Sequence, residues 1–298
     1  MRWIREVNQQ DQNNRLFNQA LLITILGNLL LATGKGIVAA ISGSVSLYAE
    51  AANSISDVFY SLFMVLGLRI ARRPPDLSHP QGHSRFEPLV GLMITLSMGF
   101  AGYSAGRTAI ERFLSGARAV EPGLPLIILM IAIIAKIGMY FRIRQIGHQV
   151  SSPTLTTAAQ DNLMDVLASG AALLGTLGSF YIHPLADPIA GVLIALWIFR
   201  AAFEAGKENL AYLTGSGASE DLREQIVEIA SAVPGVEKVH LVVTEYVGPH
   251  LLVDMHINVD GHMTLNEAHD ISDQVIDALV ALREIDRAYV HLEPEGWQ

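Results

Sequence analysis

Apolar residues run along this chain in six long blocks separated by short polar breaks. A helix that crosses a bilayer needs about 20 mostly apolar residues. The blocks at 17–40, 46–70, 88–110, 123–141, 156–180 and 187–204 are of that length. The breaks carry Gly, Pro or Ser, as in "SGS" at 42–44, "EPG" at 121–123 and "IHPLADP" at 182–188. Such residues favour turns over helix. Past residue 208 the period changes. "SEDLREQIVEIASAV" (219–233) repeats as a helix behind Ser219, which is suited to an N-cap. "VEKVHLVVTEYV" and "PHLLVDMHINVD" alternate as strands do, around a Val-Gly-Pro turn. "TLNEAHDISDQVIDALVALRE" reads as a second helix, opened by Thr264 and Glu267 as a capping box. "RAYVHLEP" reads as a last strand. The expected fold is an α-helical membrane protein with six transmembrane helices over residues 1–208, plus a cytoplasmic α+β domain over 209–298. The second domain has the order α-β-β-α-β and is ferredoxin-like, with both helices on one face of a three-stranded sheet.

Composition supports the membrane assignment. Hydrophobic residues make up 51% of the chain, and the mean hydropathy of +0.35 exceeds that of an ordinary soluble domain. The polar opening "MRWIREVNQQDQNNRLF" does not read as a cleavable secretory signal. The chain has no cysteine, so disulfides and thiolate metal sites are excluded. Any metal must be held by oxygen or imidazole nitrogen. The net charge of −9 is unevenly spread: residues 1–208 carry +3 and residues 209–298 carry −12. A strongly acidic tail argues against a nucleic-acid partner and suits cations. Arg2, Arg5, Arg15, Arg69, Arg72, Arg73, Arg85, Arg142, Arg144 and Lys207 fall on one side of the membrane, against Arg112 and Arg118 on the other. The positive-inside rule then puts both termini, and the loop 71–87, in the cytoplasm. A bacterial inner membrane is the expected location.

Ionisable side chains inside hydrocarbon are costly unless paired or functional. Asn53 and Asp57 are four residues apart on the second block, and Asp161 and Asp165 are four apart on the fifth. That spacing puts each pair on one helix face. If the faces meet, three carboxylates and an amide converge, and their repulsion calls for a cation or protons. The blander reading, that each pair bonds a neighbouring helix, suits Asn53 alone. It fits two equally spaced pairs on separate spans less well. Lys35 is expected to snorkel or to pair with a carboxylate. Asp187 before Pro188 reads as a helix cap, and Glu50 as an interfacial solvated acid.

Two further groups have ligand chemistry. Asp76, His79 and His83 lie close together in a loop with Pro and Gly turns, where they suit a divalent transition metal or form a solvated polar loop. Six of the ten histidines lie in the tail. His240 and His256 fall on facing strands and His269 on the second helix. His291 and Glu293 share one face of the last strand. His250 and His262 are placed in turns and left out. No nucleophile or metal-activated water in an open cleft is suggested, so a transporter is expected, not an enzyme.

Together these residues resemble the cation diffusion facilitator family. The resemblance spans nearly the whole chain and includes "SGSVSLYAEAANSISD", "GHSRFEPL", "DPIAGVLIA" and "LNEAHDISD". It implies a homodimeric antiporter that moves divalent metal out of the cytoplasm in exchange for protons. The family's intramembrane site falls on Asn53, Asp57, Asp161 and Asp165, its loop site on Asp76, His79 and His83, and its tail cluster on His240, His256, His269, His291 and Glu293. Zinc-transporting relatives place Asp and His where this chain has Asn53 and Asp161. An all-oxygen site suits harder Mn²⁺ and resembles the manganese branch. Fe²⁺, Co²⁺, Zn²⁺ and Cd²⁺ stay open as substrates. A zinc or iron exporter of the same fold and a non-transporting membrane metal sensor are the alternatives.

Overall fold

The computed structural model describes residues 11–42, 45–115, 124–183 and 185–296. Arg2, Arg5 and Arg118, three of the charges that set the expected orientation, lie outside them, as do the side chains of Glu50 and Asp187. The chain divides into two compact units, one ending at Asn209 and the other starting at Leu210.

The first unit is built from α1 (Asp11–Ser42), α2 (Val45–Ala71), α3 (Phe86–Leu114), α4 (Leu124–Gln149), α5 (Pro153–Tyr181) and α6 (Ala186–Thr214). The helices outrun the apolar blocks, most clearly at the ends of α4 and α6. Hydrophobicity marks the length in contact with lipid, whereas the helix continues wherever its backbone bonds do. By length and composition alone, four of them qualify as membrane spans among the described residues: Asn14–Ile41, Asn53–Ala71, Phe86–Leu114 and Pro188–Thr214. One stripe of each helix packs inward, through Phe17, Leu21, Met64, Leu68, Ile94, Met98, Ile143, Leu155 and Ile198. The outward stripe is also apolar, with Leu30, Leu96, Phe100 and Phe203 each at least 70% exposed. A helix apolar all round belongs in lipid.

Small residues let these helices meet closely. A methyl group at Gly67 on α2 would overlap the Val90 side chain of α3, and one at Gly91 would overlap Asn209 of α6. The start of α5 is pinned by polar contacts. Ser152 has extended backbone and its Oγ accepts from Leu155 N, with Pro153 following at the first helical position. The Ser152 hydroxyl also donates to the buried carboxylate of Glu87, and Thr154 Oγ1 donates to the Glu87 carbonyl at 2.6 Å. Glu87 thereby ties the first turn of α3 to the first turn of α5.

The second unit runs α7 (Glu220–Ser231), β1 (Lys238–Val247), β2 (His250–Val259), α8 (Leu265–Val280) and β3 (Ile285–Pro294). β2 lies between the others, antiparallel to β1 and parallel to β3. His250, expected in a turn, opens β2 opposite Val247, because the turn is only Gly248-Pro249 and Gly248 takes the φ of +65° it requires. Alternate β2 residues Leu251, Val253, Met255 and Ile257 are fully buried. They pack against Ile226 and Ala230 of α7 and Ile271, Val275 and Leu279 of α8. Period-2 alternation leaves the even-numbered β2 side chains on the opposite, open face.

Both expected caps of this unit form, whereas Asp187, expected to cap α6, falls inside that helix, which already starts at Ala186. Ser219 Oγ accepts from Leu222 N at 3.4 Å. Thr264 Oγ1 accepts from Glu267 N, and the Glu267 carboxylate accepts from Thr264 N at 2.7 Å. Replacing Thr264 with Ala is expected to cost about 1 kcal/mol, or roughly 4–8 °C in the melting of this unit. The Thr264 amide holds the Glu267 carboxyl below its ordinary pKa. Its contribution is therefore complete above the unfolded-state value and lost as pH falls through the lower folded value. The melting difference between the parental chain and Glu267→Gln should shrink on acidification, measured by circular dichroism from neutral pH downward.

Candidate metal centres

The first centre lies inside the helical unit. Asn53, Asp57 and Asp165 line one cavity of about 50 Å³ with Lys35, Lys136, Ala132, Ile133, Val166, Ala168 and Ser169. α2 and α5 thus bring three of the four expected residues to a common space. Asp161 sits one helical turn before Asp165, partly buried, and does not line that cavity. The carboxylates are held by a lysine of α4: Lys136 Nζ lies 2.6 Å from Asp165 Oδ2 and 3.1 Å from Asp57 Oδ2. The backbone of the site is braced by α1. Asn28 Nδ2 donates to Ser61 Oγ at 2.8 Å, and that hydroxyl donates to the Asp57 carbonyl at 2.6 Å. Lys35, expected to snorkel or pair, is buried at 6% exposure on the same cavity.

Lys136 is the one charged residue paired with these aspartates, among the described residues, that the sequence reading does not single out. Its signal was present: a single cation within "LIILMIAIIAKIGMYF", deep in an apolar block. A charge at that depth requires an anionic partner, and the aspartates of α2 and α5 are the candidates.

The second centre is the loop between α2 and α3. Asp76 Oδ1 accepts from the backbone N–H groups of Ser78 and His79 at 2.9 and 2.7 Å. The bond from His79 holds the Asp76 carboxyl below its ordinary pKa. Gly82, at φ +97°, donates its N–H to His79 O at 2.9 Å and turns the chain so that His83 comes back to Asp76. His83 Nε2 lies 3.4 Å from Asp76 Oδ2, and His79 Nδ1 lies 3.6 Å from Asp76 Oδ1. One ligand atom from each of the three residues falls within 4.8 Å of the others. His83 is buried, and its Nδ1 has no hydrogen-bond partner among the described residues.

The third centre is on the open face of the tail sheet. β2 and β3 run in register, His256 beside His291 and Asn258 beside Glu293. A bulge in β1 between Val239 and Leu241 falls at His240, an irregularity that redirects a side chain. His240 Nε2 then reaches Glu293 Oε2 at 3.1 Å, and His256 Nδ1 reaches Glu293 Oε1 at 3.0 Å. His291 Nε2 is 3.5 Å from Glu293 Oε1 and more exposed. His240, His256 and Glu293 place ligand atoms within 4.8 Å of one another. His269 does not join them. It pairs with Asp273 at 3.3 Å on the exposed side of α8, and α8 packs on the other face of the sheet, so the sheet separates His269 from the cluster within one chain.

Two family descriptions match this architecture. "Cation efflux transmembrane domain" covers residues 21–214, and "Cation efflux protein, cytoplasmic domain" covers residues 218–295. The chain is 34% identical to an uncharacterized transporter of Methanocaldococcus jannaschii, over 94% of this chain and 99% of that one. It is 32% identical to the magnetosome protein MamM of Paramagnetospirillum magneticum, over 89% of this chain and 85% of the relative. It is 26% identical to the manganese efflux system protein MneS of Bacillus subtilis, over 92% and 94%. With both domains matched and a relative of that identity covered end to end, the chain belongs to the cation efflux family, the cation diffusion facilitators, as an integral membrane transport protein.

Proposed function

We propose that this protein exports a divalent transition metal, Mn²⁺ foremost, from the cytoplasm in exchange for protons, through Asn53, Asp57, Asp161 and Asp165. The observation that carries the reading is the convergence of Asp57 and Asp165, from two separate helices, on one cationic group in a buried cavity. Carboxylate oxygens that hold an ammonium are equally suited to a hard divalent ion. The donor set is oxygen only, which favours Mn²⁺ over Zn²⁺, and MneS is named for manganese efflux. Facing inward, the three carboxylates take a metal that has shed water, with Asn53 offering its carbonyl. Facing outward, protons compete for the same oxygens and the metal leaves. The loop site (Asp76, His79, His83) and the tail cluster (His240, His256, His291, Glu293) are read as cytoplasmic metal sites, with His269 supplied to the cluster by the second copy of a homodimer.

The test is a panel of Mn²⁺, Fe²⁺, Co²⁺, Zn²⁺ and Cd²⁺ in proteoliposomes under an imposed pH gradient. Mn²⁺ should move fastest, each influx of metal should carry protons the other way, and Asp161→His should shift the preference toward Zn²⁺. Equal rates for all five metals would remove the manganese assignment. Metal flux indifferent to the pH gradient would remove the exchange.

A further inference from the structure

Lys136 occupies the position in which the cavity would seat a metal. Its side chain is 7% exposed, and its ammonium bonds one oxygen from α2 and one from α5. We infer that Lys136 is a tethered competitor of the transported ion: it fills the Asp57–Asp165 pair when no metal is bound and must withdraw when metal enters. The inference rests on the proposal that these aspartates hold the metal.

The argument is one of charge and lone pairs. Asp57, Asp161 and Asp165 bring three negative charges, while Lys136 and Lys35 bring two positive ones. With Asp161 counted from one turn away, the metal-free site carries a single net negative charge, so its lysines offset most of the carboxylate charge without an ion. A divalent ion entering beside an unmoved Lys136 would make the site positive and set two cations a few ångströms apart on the same carboxylate oxygens. At such separations in a water-poor interior, that repulsion outweighs ordinary packing terms. Lysine suits withdrawal, because it is a point charge on a flexible four-carbon stem. Arginine, with its rigid fork, would hold both carboxylates. An intramolecular cation that returns to the oxygens also speeds metal release, since the departing ion leaves no unpaired carboxylates behind. The cost is weaker apparent metal affinity.

The experiment is transport kinetics of the full chain in proteoliposomes with Mn²⁺. Lys136→Gln should lower KM by about tenfold or more and also lower kcat, because the site binds more tightly and lets go more slowly. The chain has no cysteine, so Lys136→Cys carries a unique thiol. Aminoethylation rebuilds the ammonium and should return both constants toward parental values, whereas methylthiolation should not. An unchanged or raised KM in an active Lys136→Gln protein would overturn the inference. Failure of aminoethylation to reverse the effect would overturn it too. Should the variants not fold, the parental chain decides. Mn²⁺ should raise the reactivity of Lys136 toward an amine reagent, read by peptide mass spectrometry, and no rise would refute displacement. If Asp57→Ala transports normally in the same assay, the failure belongs to the proposed metal site, not to Lys136.

Discussion

Asp57→Ala is expected to reduce metal flux to the level of empty liposomes while leaving the helical unit folded. Even groups that only orient a metal ligand cost roughly 10–100-fold when removed, so loss of a ligand itself should cost about 100-fold or more. Folding survives because the variant does not orphan a charge: Lys136 keeps Asp165 at 2.6 Å. The Asn28–Ser61–Asp57 backbone chain of hydrogen bonds also persists, since it ends on the Asp57 carbonyl and not on its side chain. The check is flux in proteoliposomes alongside a thermal melt. Parental flux in Asp57→Ala would mean that the cavity is not on the transport path.

Met255→Asp should unfold the tail. Met255 is wholly buried in the central strand, paired with Val242 on one side and Val290 on the other. A carboxylate there meets only apolar side chains of α7 and α8 among the described residues of that core. The cost is several kcal/mol, comparable with the whole stability of about 5 kcal/mol expected of so small a domain. Limited proteolysis of the full chain should release the residues beyond α6 and spare the helices. A tail as resistant as the parental one would show that the sheet core is not where these contacts place it.

What the sequence exposed and what it concealed divide along physical lines. Spans were legible because lipid imposes an apolar length, and the carboxylate pairs because four-residue spacing fixes a helix face. Thr264 and Glu267 announced their own cap, a purely local device. The bulge at His240 was not legible, since it is a mismatch between two strands and belongs to neither alone. His269 was grouped with the tail histidines by composition, but the face on which α8 packs is set by which strand residues are apolar. Lys136 stands out in the sequence as a lone cation in an apolar run, but its partners do not, because they lie 79 and 29 residues away and no spacing links them.

The tail cluster draws its donors from β1, β2 and β3, one each from His240, His256 and Glu293. An ion seated there would cross-link, through side chains, three strands that otherwise pair through backbone hydrogen bonds. Metal bound there would therefore set how firmly the tail is knit, and its unfolding temperature should rise with added ion.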